Sequence, residues 1–338
     1  MSSRKKAATS FMAFVSAGVM LVTGVGSGEA GSDVAYTASN TIAVVDIERG
    51  EVLKEIPVEH FVTDVVFNSS GERAYVAASN GVTVVDAREH AIIGHLTDLP
   101  AKTLELSADN TTLYVLEHPV TVQEDGSSKG GPYEIKAVDL STGKVTNSYL
   151  LGENYYDFYL SGDGTAIYAL KARSSDIEVI DTRSWQRVRT ITVGVSADEL
   201  LWKSIGSRES GELYIPQYGE KSSLWVVNTS EGKVNEYELN EDMALRGIAL
   251  VPETDRLFLL SLGQLVVVDT KTGAIVKKTA LDIPFQGITR SNDGKQVYLT
   301  NPIYHEGGSV TVMDGESLAV VKVIDVPTIS PFMIVTRP

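Results

Sequence analysis

Two short segments recur seven times each at intervals near 40 residues, and nothing between them sustains a helical period. Four copies of one segment also run into a glycine four residues on. Together these observations predict an all-β chain, a seven-bladed β-propeller of four-stranded blades. The first segment is a β-rich run ending in Asp or Asn: IAVVD at Asp46, VTVVD at Asp86, IKAVD at Asp139, IEVID at Asp181, LWVVN at Asn228, LVVVD at Asp269 and VTVMD at Asp314. The steps between these residues are 40, 53, 42, 47, 41 and 45. The glycines that follow are Gly50, Gly143, Gly232 and Gly273. This is hairpin chemistry, in which the Asx side chain caps its own turn and glycine supplies a positive φ. The second segment carries an aromatic residue after a polar turn, at Tyr36, Tyr75, Tyr114, Tyr168, Tyr214, Phe258 and Tyr298.

Each blade therefore reads as an inner strand (VTDVVF), a second strand (RAYVAA), a third strand (GVTVVD) and an outer strand (AIIGHL). Six blades are continuous, roughly 62–99, 100–152, 153–195, 196–242, 243–283 and 284–326. The remaining pieces are ISPFMIV (329–335) at the C-terminus and VAYTAS, TIAVVD and VLKEIPV at the start. Combined, they make a seventh blade that holds both chain ends and removes two open sheet edges. An eight-bladed or open array is the alternative, and the equal count of the two segments argues against it. The Asp/Asn column reads as turn capping and the tyrosine column as packing between blades. Trp185, Trp202 and Trp225 read as core or rim fillers.

Residues 1–30 read as an export signal. Arg4, Lys5 and Lys6 precede an apolar run from Phe11 to Val25, and small residues lead to Ala30. Fifteen residues fall short of the roughly 20 that a spanning helix needs, and a retained N-terminal anchor is the alternative. The expectation is a signal peptide over 1–30 and one domain over 31–338, exported or periplasmic, with no membrane span after signal removal. Loss of the leader takes the net charge from −15 to −17. That balance excludes a nucleic-acid binder, which needs clustered Lys and Arg. The absence of cysteine excludes disulfides, zinc-thiolate sites, iron–sulfur clusters, c-type haem attachment and thiol nucleophiles within this chain.

The blade order puts both tight-turn families on one face of the disc. The other face carries the loops between second and third strands and the crossings between blades, and these vary in length and content. The largest loop runs from Glu117 and His118 to Tyr133 and accounts for the 53-residue step. NPIYHEGG supplies Tyr304, His305 and Glu306, and IPQYGEKSS supplies Tyr218 and Glu220. The crossings add His60 with Phe61, Tyr155 with Tyr156, Glu241 with Asp242, and Pro284 with Phe285. The binding candidates are thus His60, Glu117, His118, Tyr155, Tyr156, Tyr218, Tyr304, His305 and Glu306, set against the reading that they are ordinary solvated loop residues. The histidines form no metal-like cluster. His90 and His95, five apart in one strand-forming segment, should point to opposite faces. No catalytic motif is present, so no catalytic or metal-binding residue is assigned.

The repeat, SxDGxxφYφ followed by φφVVDxxTGxVxxxφ, resembles the YVTN family of exported β-propellers over residues 33–338. More narrowly, TLYVLEHPVTVQEDGSSKGGPYEIKAVDLSTGKV (112–145) and GSVTVMDGESLAVVKVIDVP (308–327) are similar to the β subunit of quinohemoprotein amine dehydrogenase. The EHP stretch departs from the serine-containing version of that family. The resemblance implies a periplasmic complex that oxidises primary amines to aldehydes. In it the propeller carries no cofactor of its own. It docks a small subunit bearing cysteine tryptophylquinone, beside a subunit with two c-type haems, and walls part of the substrate cavity. Two other readings stand beside this one. The first is an orphan exported propeller that binds a ligand or protein. The second is a stand-alone propeller lyase or lactonase, which would need His118, His305 and Glu306 to converge over the channel.

Overall fold

A computed structural model describes residues 33–122, 128–171, 174, 176–194, 200–201, 204–218, 222–239, 243–303, 307–326 and 332–338. The export-signal expectation falls on residues outside these. Every blade is antiparallel, and in the six continuous blades strand order follows chain order from the inner strand outward. Blade 1 comprises Val62–Phe67, Arg73–Ala78, Gly81–Asp86 and Ala91–Thr97. Blade 2 comprises Ala101–Leu106, Thr112–Glu117, Tyr133–Asp139 and Val145–Gly152. Blade 3 follows with Tyr155–Leu160, Ala166–Lys171, Asp176–Asp181 and Gln186–Thr192. The inner position of blade 4 is divided between Leu200–Leu201 and Ile205–Ser207, which both pair with Glu212–Tyr218. Ser223–Asn228 and Val234–Glu238 complete that blade. Blade 5 is Leu245–Val251, Arg256–Ser261, Gln264–Asp269 and Ile275–Ala280, and blade 6 is Gly287–Arg290, Gln296–Ile303, Gly307–Asp314 and Val320–Val326.

The seventh blade joins the chain ends as the sequence predicts. Met333–Thr336 is its inner strand, and it pairs with Val34–Ala38 in the register Tyr36↔Val335. Thr41–Asp46 and Glu51–Pro57 lie outside that pair. The strand starts at Met333, and the earlier part of the predicted run, through 331, lies outside the described residues. Neighbouring blades tie the ends further. Tyr298 donates to Asp33 at 2.6 Å, and Arg337 Nη1 donates to the Ala87 carbonyl at 2.9 Å.

The core is distributed rather than central. Seven apolar clusters fill the seven gaps between adjacent blades, including the gap between blades 7 and 1, where Tyr36 and Val335 meet Val65 and Val76. Such a complete set of interfaces is what a closed ring requires, and closure protects the sheet edges. All seven aromatic residues of the repeat are buried in these clusters.

The Asp/Asn column caps turns. Asp139 accepts the Ser141 and Thr142 amides, Asp269 those of Lys271 and Thr272, and Asp314 those of Glu316 and Ser317. Gly273 shows why glycine ends such a turn: its φ is +70°, and a Cβ there would sit 2.0 Å from the Tyr237 ring. The three copies without glycine place His90, Trp185 and Leu318 in the same left-handed conformation, at φ 50°, 53° and 60°. This corrects the sequence expectation for His90. It lies in the turn, not in a strand with His95, and its ring meets the Tyr36 hydroxyl at 3.1 Å. The AREH run keeps the Asx cap, so the turn forms without glycine and the strand begins only at Ala91.

Candidate functional site

The loop face of blades 2 and 3 brings several of the sequence candidates together. The long loop of blade 2 folds into a small hairpin, Val120–Val122 against Ser128–Gly130. It folds back over the chain that precedes it, since a Cβ on Gly130 would lie 2.6 Å from His118 Nε2. His118 stacks on Tyr133 with ring centres 4.1 Å apart and planes within 1°. Lys102, on the inner strand, holds its ammonium 5.0 Å from the same Tyr133 ring and donates to the Tyr155 carbonyl at 3.3 Å. Glu117 ends the second strand and pairs with Lys136 at 2.5 Å, and Lys136 also meets Glu134 at 3.4 Å. The Tyr155 hydroxyl donates to Glu178 at 2.6 Å. Glu117 and Tyr155 are therefore satisfied within the blades, while His118 forms part of an aromatic ledge.

A recurring irregularity explains how Lys102 comes to be there. The inner strands of blades 1, 2, 3 and 5 slip register at one equivalent place, leaving Thr63, Lys102, Tyr156 and Arg246 as the extra residue. A bulge releases a residue from the alternation of the strand and re-aims its side chain. Thr63 donates to the Ala101 carbonyl at 2.8 Å, just as Lys102 donates to the Tyr155 carbonyl. Each acceptor is the residue before the bulge of the following blade, so these side chains lean around the inner wall. The Tyr156 hydroxyl is buried without a hydrogen-bond partner. Tyr155 and Tyr156, expected in a crossing, are instead the first two residues of the inner strand of blade 3. Their aromatic character lets the chain turn from solvent directly into the packed ladder.

Burial lowers the Lys102 pKa to about 8, and the charge on Asp157 opposes that shift. Asp157 itself is committed elsewhere, accepting from the Phe158 amide at 3.0 Å and the Ser204 hydroxyl at 2.8 Å. His118 is held below the ordinary histidine range by burial and then by the Lys102 charge. Tyr133, Tyr155 and Tyr156 are all raised, primarily by burial. Deeper in the ring, Arg208 of blade 4 passes blade 3 to reach Glu105 of blade 2 at 3.2 Å and the Leu106 carbonyl at 2.7 Å. Burial pushes Glu105 up to about 8, against the pull of Arg208.

The remaining candidates stand apart or lie outside the described residues. His60 is exposed in the crossing into blade 1, with Ser79 Oγ 3.5 Å from its Nδ1. Tyr218 ends the second strand of blade 4 opposite Leu200. Tyr304, His305, Glu306, Glu220, Glu241, Asp242 and Trp202 fall outside the description, and with His305 and Glu306 goes any test of the three-residue convergence. Among the described residues no group of His, Asp and Glu could hold a metal ion. Lys102, Tyr133 and Arg246 were not singled out in the sequence. Aligning inner strands on the repeat aromatic would have set Thr63, Lys102, Tyr156 and Arg246 in one column, where two of the four residues are cations.

The two faces differ in apolar exposure. On the loop face Phe61, Val120, Leu262, Ile283 and Ile303 are 39 to 54% exposed. The other exposed large apolar residues lie on outer strands, and none lies in a described tight turn. The tight-turn face does hold a cleft of about 540 Å³ between blades 4 and 5. Three of its carboxylates are partnered internally: Glu212 by Tyr214, Asp255 by Lys271 and Glu253 by Arg290.

Among the described residues no helix is long and apolar enough to cross a membrane. No model of a known family matches the chain, and no curated protein matches it. Among solved structures it is similar to dihydro-heme d1 dehydrogenase NirN in complex with DHE, at 15% identity and a TM-score of 0.61, over 88% of this chain and 74% of that one. At that identity the likeness speaks for architecture, and with the seven filled blade interfaces it establishes the chain as a seven-bladed β-propeller.

Proposed function

We propose that this propeller is a cofactor-free docking subunit of an exported quinohemoprotein amine dehydrogenase, presenting its loop face to a small quinone-bearing subunit beside a dihaem cytochrome. The observation that carries the docking role is the presence of exposed Phe61, Val120, Leu262, Ile283 and Ile303 on one face while the described tight turns expose no large apolar residue. Apolar groups on the loops of a rigid scaffold suit a protein interface better than solvent. The amine-oxidising identity rests on the resemblance of 112–145 and 308–327, and the hairpin of blade 2 lies within the first of those stretches. Quinone and haem would both belong to partner chains, in keeping with the absence of cysteine here. The role of this subunit would be to wall the substrate cavity and exclude water around the quinone.

The test is size-exclusion chromatography of the native protein from its source, with a visible spectrum and a quinone-redox stain across the peak. Elution well above the 36.4 kDa of the chain, with c-type haem bands and a quinone-positive small chain, is the expected result. A colourless monomer would overturn this reading in favour of a binding propeller.

A further inference from the structure

The bulge column puts positive charge where a closed channel needs none for its own stability. Lys102 reaches the peptide between Tyr155 and Tyr156, and no carboxylate lies within ion-pair distance of it among the described residues. Asp157, whose charge it feels, has its oxygens bonded to Phe158 and Ser204. An ammonium offers three donors, and its one hydrogen bond among the described residues, to a carbonyl at 3.3 Å, leaves the others for a ligand or water. Arg246 occupies the same register in blade 5, three blades from Lys102 and so on the far wall of a seven-bladed ring. Desolvating a lysine without an ion-pair partner costs stability, and that cost is met when an anion binds.

We propose that the loop-face mouth of the central channel is a carboxylate-binding site, in which Lys102 supplies the charge and a hydrogen bond, and Arg246 the positive potential of the opposite wall. A monoanion suits it because the donors are few and the rest of the chain is strongly acidic, which disfavours ligands of higher negative charge. Free small carboxylates and the carboxylate of a bound protein segment share this chemistry. The site stands whether or not the chain is a dehydrogenase subunit.

The experiment is calorimetric titration of the purified mature chain with acetate and succinate, and separately with a short peptide carrying a free or an amidated C-terminus, with chloride as control. Saturable binding of acetate or succinate identifies a free carboxylate as ligand; binding of the free-ended peptide alone identifies a docking segment. In either case Lys102→Met should weaken binding by about tenfold or more, as loss of a desolvated charged partner does. Lys102→Arg should keep most of it. Raising the pH from about 7 to about 9.5 should also weaken binding as Lys102 loses its proton. Facing groups are Tyr133, Tyr155 and Tyr156, raised out of that range, and His118, already held low. Glu105, one layer deeper, titrates in the same window, so the pH series is repeated in Glu105→Gln. If Lys102→Met fails to fold, the Arg variant and the pH series decide. Absence of saturable binding by every carboxylate probe, or equal binding with and without the Lys102 charge, would overturn the site.

Discussion

The two faces of the disc are made from one repeat and have opposite chemistry. On the tight-turn face an Asp side chain, its own backbone and one left-handed residue determine nearly everything. The same bonds recur at Asp139, Asp181, Asp269 and Asp314. On the loop face only backbone bonds at the strand ends recur, as from Val58 to Asn40, Leu239 to Ser222 and Leu281 to Gly263, while loop length and side chains vary and one loop has grown its own hairpin. Turn geometry tolerates few residue types, whereas a loop whose ends are held by a ladder tolerates many. One face is thereby committed to holding the ring and the other is left open to binding. The largest test of that division is removal of residues 333–338, which takes away the inner strand of blade 7 and the Arg337 tie to blade 1. The ring should then open, with loss of the cooperative transition by circular dichroism and aggregation on a sizing column. Removal of the blade 2 hairpin, replaced by a short turn, should leave that transition in place.

A finer contrast exists inside the tight-turn face. Where the turn ends in glycine, a side chain from the outer strand of the preceding blade closes over it, as Tyr237 does at Gly273 and Lys322 at Gly50. Where it ends in His90, Trp185 or Leu318, the turn itself fills the gap; Trp185 stacks on Tyr114 of the preceding blade, ring centres 6.2 Å apart. Trp185→Ala should therefore cost about 3 kcal/mol, the low end for emptying a buried aromatic site. Trp185→Gly should recover about 1 kcal/mol of that loss by relieving the positive φ. Urea melts of the two variants measure both quantities, and equal stability of Ala and Gly would show that the turn carries no strain.

Blade number, strand order, closure and the buried tyrosine column were legible because each is written in local pattern and spacing. The bulges were not. Lys102 in AKTLEL and Arg246 in LRGIAL look like ordinary outward residues of a strand, and only the pairing of that strand with its neighbour shows the slip. The Glu105–Arg208 pair was hidden for a related reason, since its members lie 103 residues apart and meet only once the ring is closed. That pair makes a smaller and more selective prediction. The folded-state pKa of Glu105 is raised to about 8 from its ordinary 4.5, so the folded chain holds a proton that the unfolded chain releases. Its contribution is complete below the ordinary value and is lost as the pH climbs through the folded one. Wild-type stability should fall between about pH 5 and about pH 9 relative to Glu105→Gln. Parallel profiles would mean that Arg208 fully offsets the burial of the carboxylate.

The smallest effect on folding belongs to the loop face, and there it says the most. Ile303 ends the second strand of blade 6 with its side chain 46% exposed. Ile303→Lys removes apolar surface that water already touches and leaves the ladder to Gly307 in place. Its change in stability should stay within about 0.5 kcal/mol, as for surface positions free of caps, cavities and buried charges. If the loop face is an interface, the same substitution places a charge in an apolar contact and should release the partner chains on a sizing column. A variant that folds like the wild type and still co-elutes would move the interface away from blade 6. One that loses more than about 1 kcal/mol on its own would show that Ile303 holds the blade together. The division between a structural face and a binding face would then fail at this blade.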